Sequence, residues 1–409
     1  MLLRWVFALV AVSLLAGCAS RPQQSAQAEP VPLILISLDG FRPEYLQRGL
    51  TPNLLRLARS GVRARGMRPS YPSLTFPNHY SIVTGLRPDH HGIVANRMQD
   101  AELGPFTMEN RKAVGDGRWW GGTPLWISLQ RQGLRSAAMF WPGSEADVLG
   151  SHPHWWFPFD YKTPMDTRVQ RVLDWMALPA AERPRFITLY FEHVDSAGHV
   201  YGPDSDELNA AVQAVDRAMQ QLVSGLARQG SVANLVVVSD HGMEATSESR
   251  LVIIDDYVDP ATVTVNEWGA LLMVEPDPGH EAAVAAALVG EHPHMQCWRK
   301  ADLPARWHYG SHSRVSAISC QLEPGWYAIT RERLARQNGR ISQGKHGYDP
   351  ELESMHAIFI ANGPAFKRGL RLPVFDNVDV YPLLARLVGV EPVENDGDPA
   401  VLLEALRER

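Results

Sequence analysis

Seven side chains in this sequence have the types that hold metal ions or carry a nucleophilic oxygen: Asp39, Thr75, Asp195, His199, Asp240, His241 and His346. Carboxylate oxygens and imidazole nitrogens bind borderline divalent cations, and three Asp with three His suit two zinc ions. A threonine hydroxyl is a weak nucleophile on its own; a neighbouring cation lowers its pKa and activates it. Singly these residues say little, because an Asp-Gly pair after an apolar run is a common turn and a lone His is usually ordinary. Together they predict a two-metal centre that activates the Thr75 hydroxyl.

Such a centre needs elements that bring distant residues together. Three apolar runs, residues 34–38, 186–191 and 235–238, read as buried strands of a parallel sheet and lead to Asp39, Asp195 and Asp240. Ligands of open α/β sheets bind outside the carboxyl ends of the strands, where these residues fall. Pro77 suits the first turn of a helix, so Thr75 lies near a helix N-terminus, whose free N–H groups bind phosphate. The alternative is that Thr75 or Ser73 only caps that helix. Asp195 and His199, four apart, share a face if they form one helical turn. Gly242 permits a tight turn after Asp240-His241, and His346 sits between Gly344 and Gly347.

The fold class is therefore α/β: a mostly parallel twisted sheet flanked by helices on both faces, with a small inserted α+β lobe. The catalytic core takes residues 31–253 and 341–409, and the lobe takes 254–340. Within the lobe, 262–265, 270–274 and 326–330 read as strands and 280–288 as a helix. Its His292, His294, His308 and His312 lack accompanying strand-end carboxylates and do not read as a third metal site. His79 and His193 are assigned to orientation or packing.

The chain has 409 residues and a formal net charge of −6, which excludes a global basic footprint for sequence-specific nucleic-acid binding. Arg4, the apolar stretch 5–15 and Leu15-Ala16-Gly17-Cys18 read as a signal peptide over 1–17; a membrane span needs about 20 apolar residues. Leu-Ala-Gly before Cys18 resembles a bacterial lipobox, which makes Cys18 the lipidated residue, with 18–30 as a flexible tether. With no acidic residue at positions 19 and 20, the expected location is the periplasmic side of the envelope, anchored in the outer membrane. An oxidising compartment favours a disulfide between Cys297 and Cys320 over two buried thiols.

Beyond single residues, several segments resemble bacterial members of the nucleotide pyrophosphatase/phosphodiesterase family, within the alkaline-phosphatase superfamily. They are Ser37-Leu-Asp-Gly40, PSLTFPNHY at 72–80, the segments 84–88 and 91–96, and Trp141-Pro-Gly-Ser144. Residues 192–203, Ser239-Asp-His-Gly242, His346-Gly-Tyr-Asp349, 362–369 and 377–381 continue the set. The resemblance spans about residues 33–390 and is interrupted from about 254 to 343. Lys345 departs from the residue more usual before that histidine.

The resemblance implies two zinc ions, one held by Asp195, His199 and His346, the other by Asp39, Asp240, His241 and the Thr75 oxygen. It implies attack by Thr75 on phosphorus, a phospho-threonine intermediate, and its hydrolysis by water. Backbone N–H near Phe76 and the Asn96 amide would face the equatorial phosphoryl oxygens. A neutral amide at Asn96 suits a diester, which carries one ionisable oxygen fewer than a monoester. Phe76, Phe159 and Tyr190 would surround a nucleobase, with Phe159 and Tyr190 as the sandwich and Tyr161 as the alternative to Phe159. The expected function is hydrolysis of nucleoside triphosphates and nucleotide phosphodiesters to nucleoside 5′-monophosphates. The alternative on the same core is a glycerophosphocholine or lysophospholipid phosphodiesterase, with Glu145, Trp141, Trp155 and Trp156 caging a quaternary ammonium.

Overall fold

The computed structural model describes residues 31–408; the leader, Cys18 and the whole tether lie outside them. Strand β1 (Leu33–Leu38) is buried along its whole length near the middle of an eight-stranded sheet. It pairs in parallel with β2 (Phe186–Phe191) on one side and β3 (Asn234–Val238) on the other. Leu33 and Leu35 point into the core on one face, and Ile34, Ile36 and Leu38 into the core on the other. Two covered faces explain why β1 is apolar at every position but Ser37 instead of alternating. Each buried Leu or Ile is worth roughly 1.5–3 kcal/mol, which anchors the strands that end at the site.

Ser136–Met139 and Trp155–Trp156 extend the parallel order beyond β2. On the far side of β3, Phe359–Asn362 runs antiparallel, followed by Val62–Ala64 and Leu370–Leu372. Helix α1 (Thr75–Thr84) and the helix Val380–Val388 pack on one face. Pro52–Ser60, Met165–Met176 and the long helix Asp206–Arg228 cover the other. Ser205 caps that long helix, its hydroxyl accepting from the Leu208 N–H.

Residues 263–322 build a separate five-stranded antiparallel sheet. Its first two strands, β4 (Val263–Glu267) and Leu271–Pro276, and the helix Glu281–Leu288 lie where the sequence pattern places them. Gly290–His292, Met295–Arg299 and Ile318–Leu322 escape that pattern. They are short, and Gln296, Gln321 and Ser319 interrupt their apolar runs, so only pairing reveals them. Tyr327–Ile329 lies outside that sheet and pairs in parallel with Leu251–Ile253. Cys297 and Cys320 are opposed across two adjacent strands and joined by a disulfide.

Candidate active site

The strand register sets the geometry. Ser37 of β1 is level with Tyr190 of β2 and Val238 of β3, so all three strands end in one plane. Asp39 leaves that plane with its N–H donating to the Phe191 carbonyl at 3.0 Å. Gly40 follows at φ +68°, and a Cβ there would lie 2.9 Å from the Asp195 Cα. Only glycine lets the end of β1 approach Asp195 so closely. Asp195 and His199 sit on helix α2 (His193–Tyr201), a nine-residue helix that begins before the single turn the spacing predicts. Thr75 is the first residue of α1, as Pro77 suggests.

Three imidazoles meet here, and each is oriented by a backbone carbonyl. His199 Nδ1 lies 2.9 Å from the Gly344 oxygen, His241 Nδ1 2.8 Å from that of Gly242, and His346 Nδ1 2.8 Å from that of Ser73. A carbonyl accepts only, so each Nδ1 carries the proton and each Nε2 presents a lone pair. The Nε2 atoms of His199 and His346 nevertheless face each other at 3.1 Å. Two lone pairs at that distance repel unless a cation lies between them. His241 Nε2 lies 3.2 Å from Thr75 Oγ1, 2.9 Å from Asp240 Oδ2 and 3.6 Å from Asp39 Oδ1.

The carboxylates make the same point. Asp39 Oδ1, Asp195 Oδ1 and Asp240 Oδ2 are buried acceptors without hydrogen-bond partners, and a buried unpartnered charge costs several kcal/mol. Burial, then the Asp240 and Asp195 carboxylates, pushes the Asp39 pKa up. Burial, then His241 and His199, holds His346 below the ordinary histidine value and so in its neutral, ligating form. Burial would lower His241 too, but the Asp240 and Asp195 carboxylates and the Gly242 carbonyl together outweigh it and raise that imidazole. Ligand atoms of Asp195, His241 and His346 lie within 4.8 Å of one another, as do those of Asp39, Asp240 and His241. His199 joins the first set through contacts of 3.1 Å to His346 and 3.5 Å to Asp195 Oδ2. This donor set of carboxylate oxygens and bare imidazole nitrogens fits divalent metal ions.

All seven chemistry-bearing residues thus come together. Asn96 joins them: it is 6 % exposed, and its Oδ1 accepts the Phe76 N–H at 3.0 Å. That contact engages the Phe76 N–H expected to face a phosphoryl group and leaves Asn96 Nδ2 as the donor. His79 orients its neighbours, with Nε2 2.8 Å from Ser37 Oγ and Nδ1 2.9 Å from the Thr75 carbonyl. His193 makes no comparable contact; its Nδ1 is buried without a partner. The four lobe histidines do not gather: His292 meets the Leu288 carbonyl, and His294 meets Glu323.

The aromatic sandwich requires correction. Phe159 and Tyr190 touch edge to face, with centroids 5.7 Å apart and planes at 68°, so no base enters between them. Tyr190 is 7 % exposed, and its hydroxyl donates to Asp39 Oδ2 at 2.6 Å. It positions a carboxylate. Phe76 and Phe159 are half-buried. Two of the four residues of the ammonium cage are also engaged elsewhere: Glu145 pairs with Arg111, and the buried Trp141 donates its indole N–H to the His79 carbonyl. The carbonyls of Ser73, Gly242 and Gly344, which aim the imidazoles, have no signature in sequence, because every residue has a carbonyl.

Residues 33–349 match the family described as Type I phosphodiesterase / nucleotide pyrophosphatase. Venom phosphodiesterase of Macrovipera lebetinus is 37 % identical over 415 residues, covering 98 % of this chain and 48 % of its own length. Ectonucleotide pyrophosphatase/phosphodiesterase family member 1 of Mus musculus is 36 % identical, covering 94 % of this chain and 44 % of its own. The chain therefore spans about half the length of these curated relatives. Murine ectonucleotide pyrophosphatase/phosphodiesterase 5, solved in an inactive variant with AMP, superposes with a TM-score of 0.87 at 32 % identity. That match covers 93 % of this chain and all of the murine one. The match over residues 33–349, with that close structural likeness, places the chain in the type I phosphodiesterase/nucleotide pyrophosphatase family.

Proposed function

We propose that this chain hydrolyses nucleoside triphosphates and nucleotide phosphodiesters to nucleoside 5′-monophosphates through a phospho-threonine intermediate. The observation that carries the proposal is the convergence of partnerless carboxylate oxygens and bare imidazole nitrogens beside Thr75 Oγ1. Asp195, His199 and His346 would hold one ion, and Asp39, Asp240, His241 and Thr75 a second, with zinc suited to these donors. When bound, the pair lowers the pKa of the Thr75 hydroxyl and neutralises charge on the phosphoryl group. Thr75 Oγ, having lost its proton, forms the bond to phosphorus as the bond to the leaving oxygen breaks. Water then cleaves the Thr75 ester and regenerates the hydroxyl. Asn96 Nδ2 donates to an equatorial oxygen, and Tyr190 holds Asp39 in place.

Phe76 and Phe159 would offer ring faces to the base, and stacking is worth roughly 1–3 kcal/mol per base. The AMP bound by the murine relative supports a nucleotide ligand. Residues 31–253 and 341–409 would form the catalytic core and 254–340 the inserted lobe. The test compares initial rates on equal concentrations of ATP, glycerophosphocholine and an aryl phosphate monoester. AMP and pyrophosphate from ATP should dominate. Dominant choline-headgroup turnover would move the substrate to lipids, and monoester dominance would refute the role of Asn96.

The location follows from the leader alone: an envelope lipoprotein anchored through Cys18. Cells expressing the full chain should incorporate labelled palmitate into it, and Cys18→Ser should abolish the label. Undiminished labelling of that variant would refute the anchor.

A further inference from the structure

We propose that Glu267, contributed by the inserted lobe, is a positioning residue that holds Asn96 against the reacting phosphoryl group; this rests on the phosphodiesterase function proposed above. Glu267 is 3 % exposed. Its Oε1 accepts the N–H of Arg97, the residue after Asn96, at 2.9 Å. The carboxylate therefore fixes the backbone directly after Asn96, whose side-chain amide oxygen accepts the Phe76 N–H. The path from the lobe to the nucleophile is short: Glu267, the Arg97 N–H, the Asn96 amide, then the residue after Thr75.

A bulge in β4 aims Glu267 there. Val265 pairs with Val274, yet Glu267 pairs with Met273, so Asn266 is the extra residue. In a regular strand, residues 265 and 267 would share a face. The bulge turns Glu267 to the face of Met273 instead. Val274 belongs to the lobe's own core, with Val265 packed against it, whereas Met273 belongs to the core that contains α1. Bulges recur beside active sites because they re-aim one side chain in this way. Asn266 is secured in turn, its Nδ2 donating to Ser316 Oγ at 2.9 Å.

A buried carboxylate is costly unless opposed, and the cations that oppose Glu267 are Lys345 and Arg97. Lys345 lies directly before His346. A lysine at that position thus accompanies a glutamate that the lobe turns toward the site. Packing alone would be served by an apolar residue of similar size, without the cost of two buried charges.

The test is a double-mutant cycle in the full-length, metal-loaded enzyme, with ATP and bis(4-nitrophenyl) phosphate as substrates. A misplacement of about 1 Å costs on the order of 10²-fold in rate, so Glu267→Ala should lower kcat about that much and leave KM within about threefold. Glu267→Gln keeps one acceptor and should recover roughly tenfold of that loss. In an Asn96→Ala background, Glu267→Ala should cost less than about twofold more, because residues acting as a unit are not additive. A Glu267→Ala rate within threefold of wild type, or a full additive loss in the Asn96→Ala background, would overturn the proposal. If Glu267→Ala does not fold, the cycle with Glu267→Gln decides by the same additivity criterion. Thr75→Ala is the control for the parent function: its inactivity beside additive Glu267 effects sinks this proposal alone. Wild-type inactivity on both substrates sinks both.

Discussion

Replacing Thr75 with alanine is expected to lower turnover of ATP by on the order of 10³-fold or more while leaving the fold and the metal content near wild type. Loss of a covalent nucleophile removes the reaction path, not one favourable contact. The metal donors survive because Asp39, Asp240 and His241 still surround the position that the Thr75 oxygen leaves. Thr75 starts α1, but no side-chain hydrogen bond from it caps the helix, so the helix has little to lose. Thr75→Ser should retain measurable activity, since it keeps the hydroxyl. Burst kinetics and trapping of the phosphorylated residue would check the intermediate directly. A loss of less than tenfold in Thr75→Ala would rule out Thr75 as the nucleophile.

Removing metal should be equally severe for activity and should also destabilise the protein. Without a cation, Asp39, Asp195 and Asp240 are left as crowded carboxylates with partnerless oxygens, and the imidazole lone pairs face one another. A ligand at about a hundredfold over its Kd stabilises a fold by roughly 2.7 kcal/mol, so chelation should lower the Tm by several degrees. Zinc should restore both Tm and turnover at about two ions per chain. Asp39→Asn gives a test of opposite sign: it should weaken metal binding, yet melt no lower than wild type in chelator, because one repelling charge is gone. Reloading should also release protons. They come from Asp39, whose pKa is raised, and, as pH falls and its Nε2 takes up a proton, from His241, but not from His346, which burial holds neutral. Metal affinity should therefore fall as pH drops and these groups take up protons. Full turnover in the presence of excess chelator would remove the metal centre from the mechanism.

Much of this centre was legible in the sequence because its ligands lie at the ends of strong local signals. Residues 34–38, 186–191 and 235–238 are apolar on both faces, and a strand so composed can only be central and covered. Asp39 follows such a strand directly and Asp240 after one residue, Pro77 marks the start of α1, and the Asp195–His199 spacing matches a helical turn. What could not be read depends on side-chain rotamers and on pairing between distant strands. Tyr190 appeared as a base-stacking residue, but burial and the hydrogen bond to Asp39 assign it to positioning. Three lobe strands were missed because short mixed-polarity segments acquire their conformation from partners.

The sequence by itself determined the fold class and singled out the seven side chains that the structure brings together, since both rest on local patterns and residue chemistry. Tertiary structure alone decided which lone pairs face one another, which ring is free to meet a base, and which face of β4 presents Glu267. A one-residue bulge exchanges the two faces of a strand without altering its composition, so no local pattern reports it.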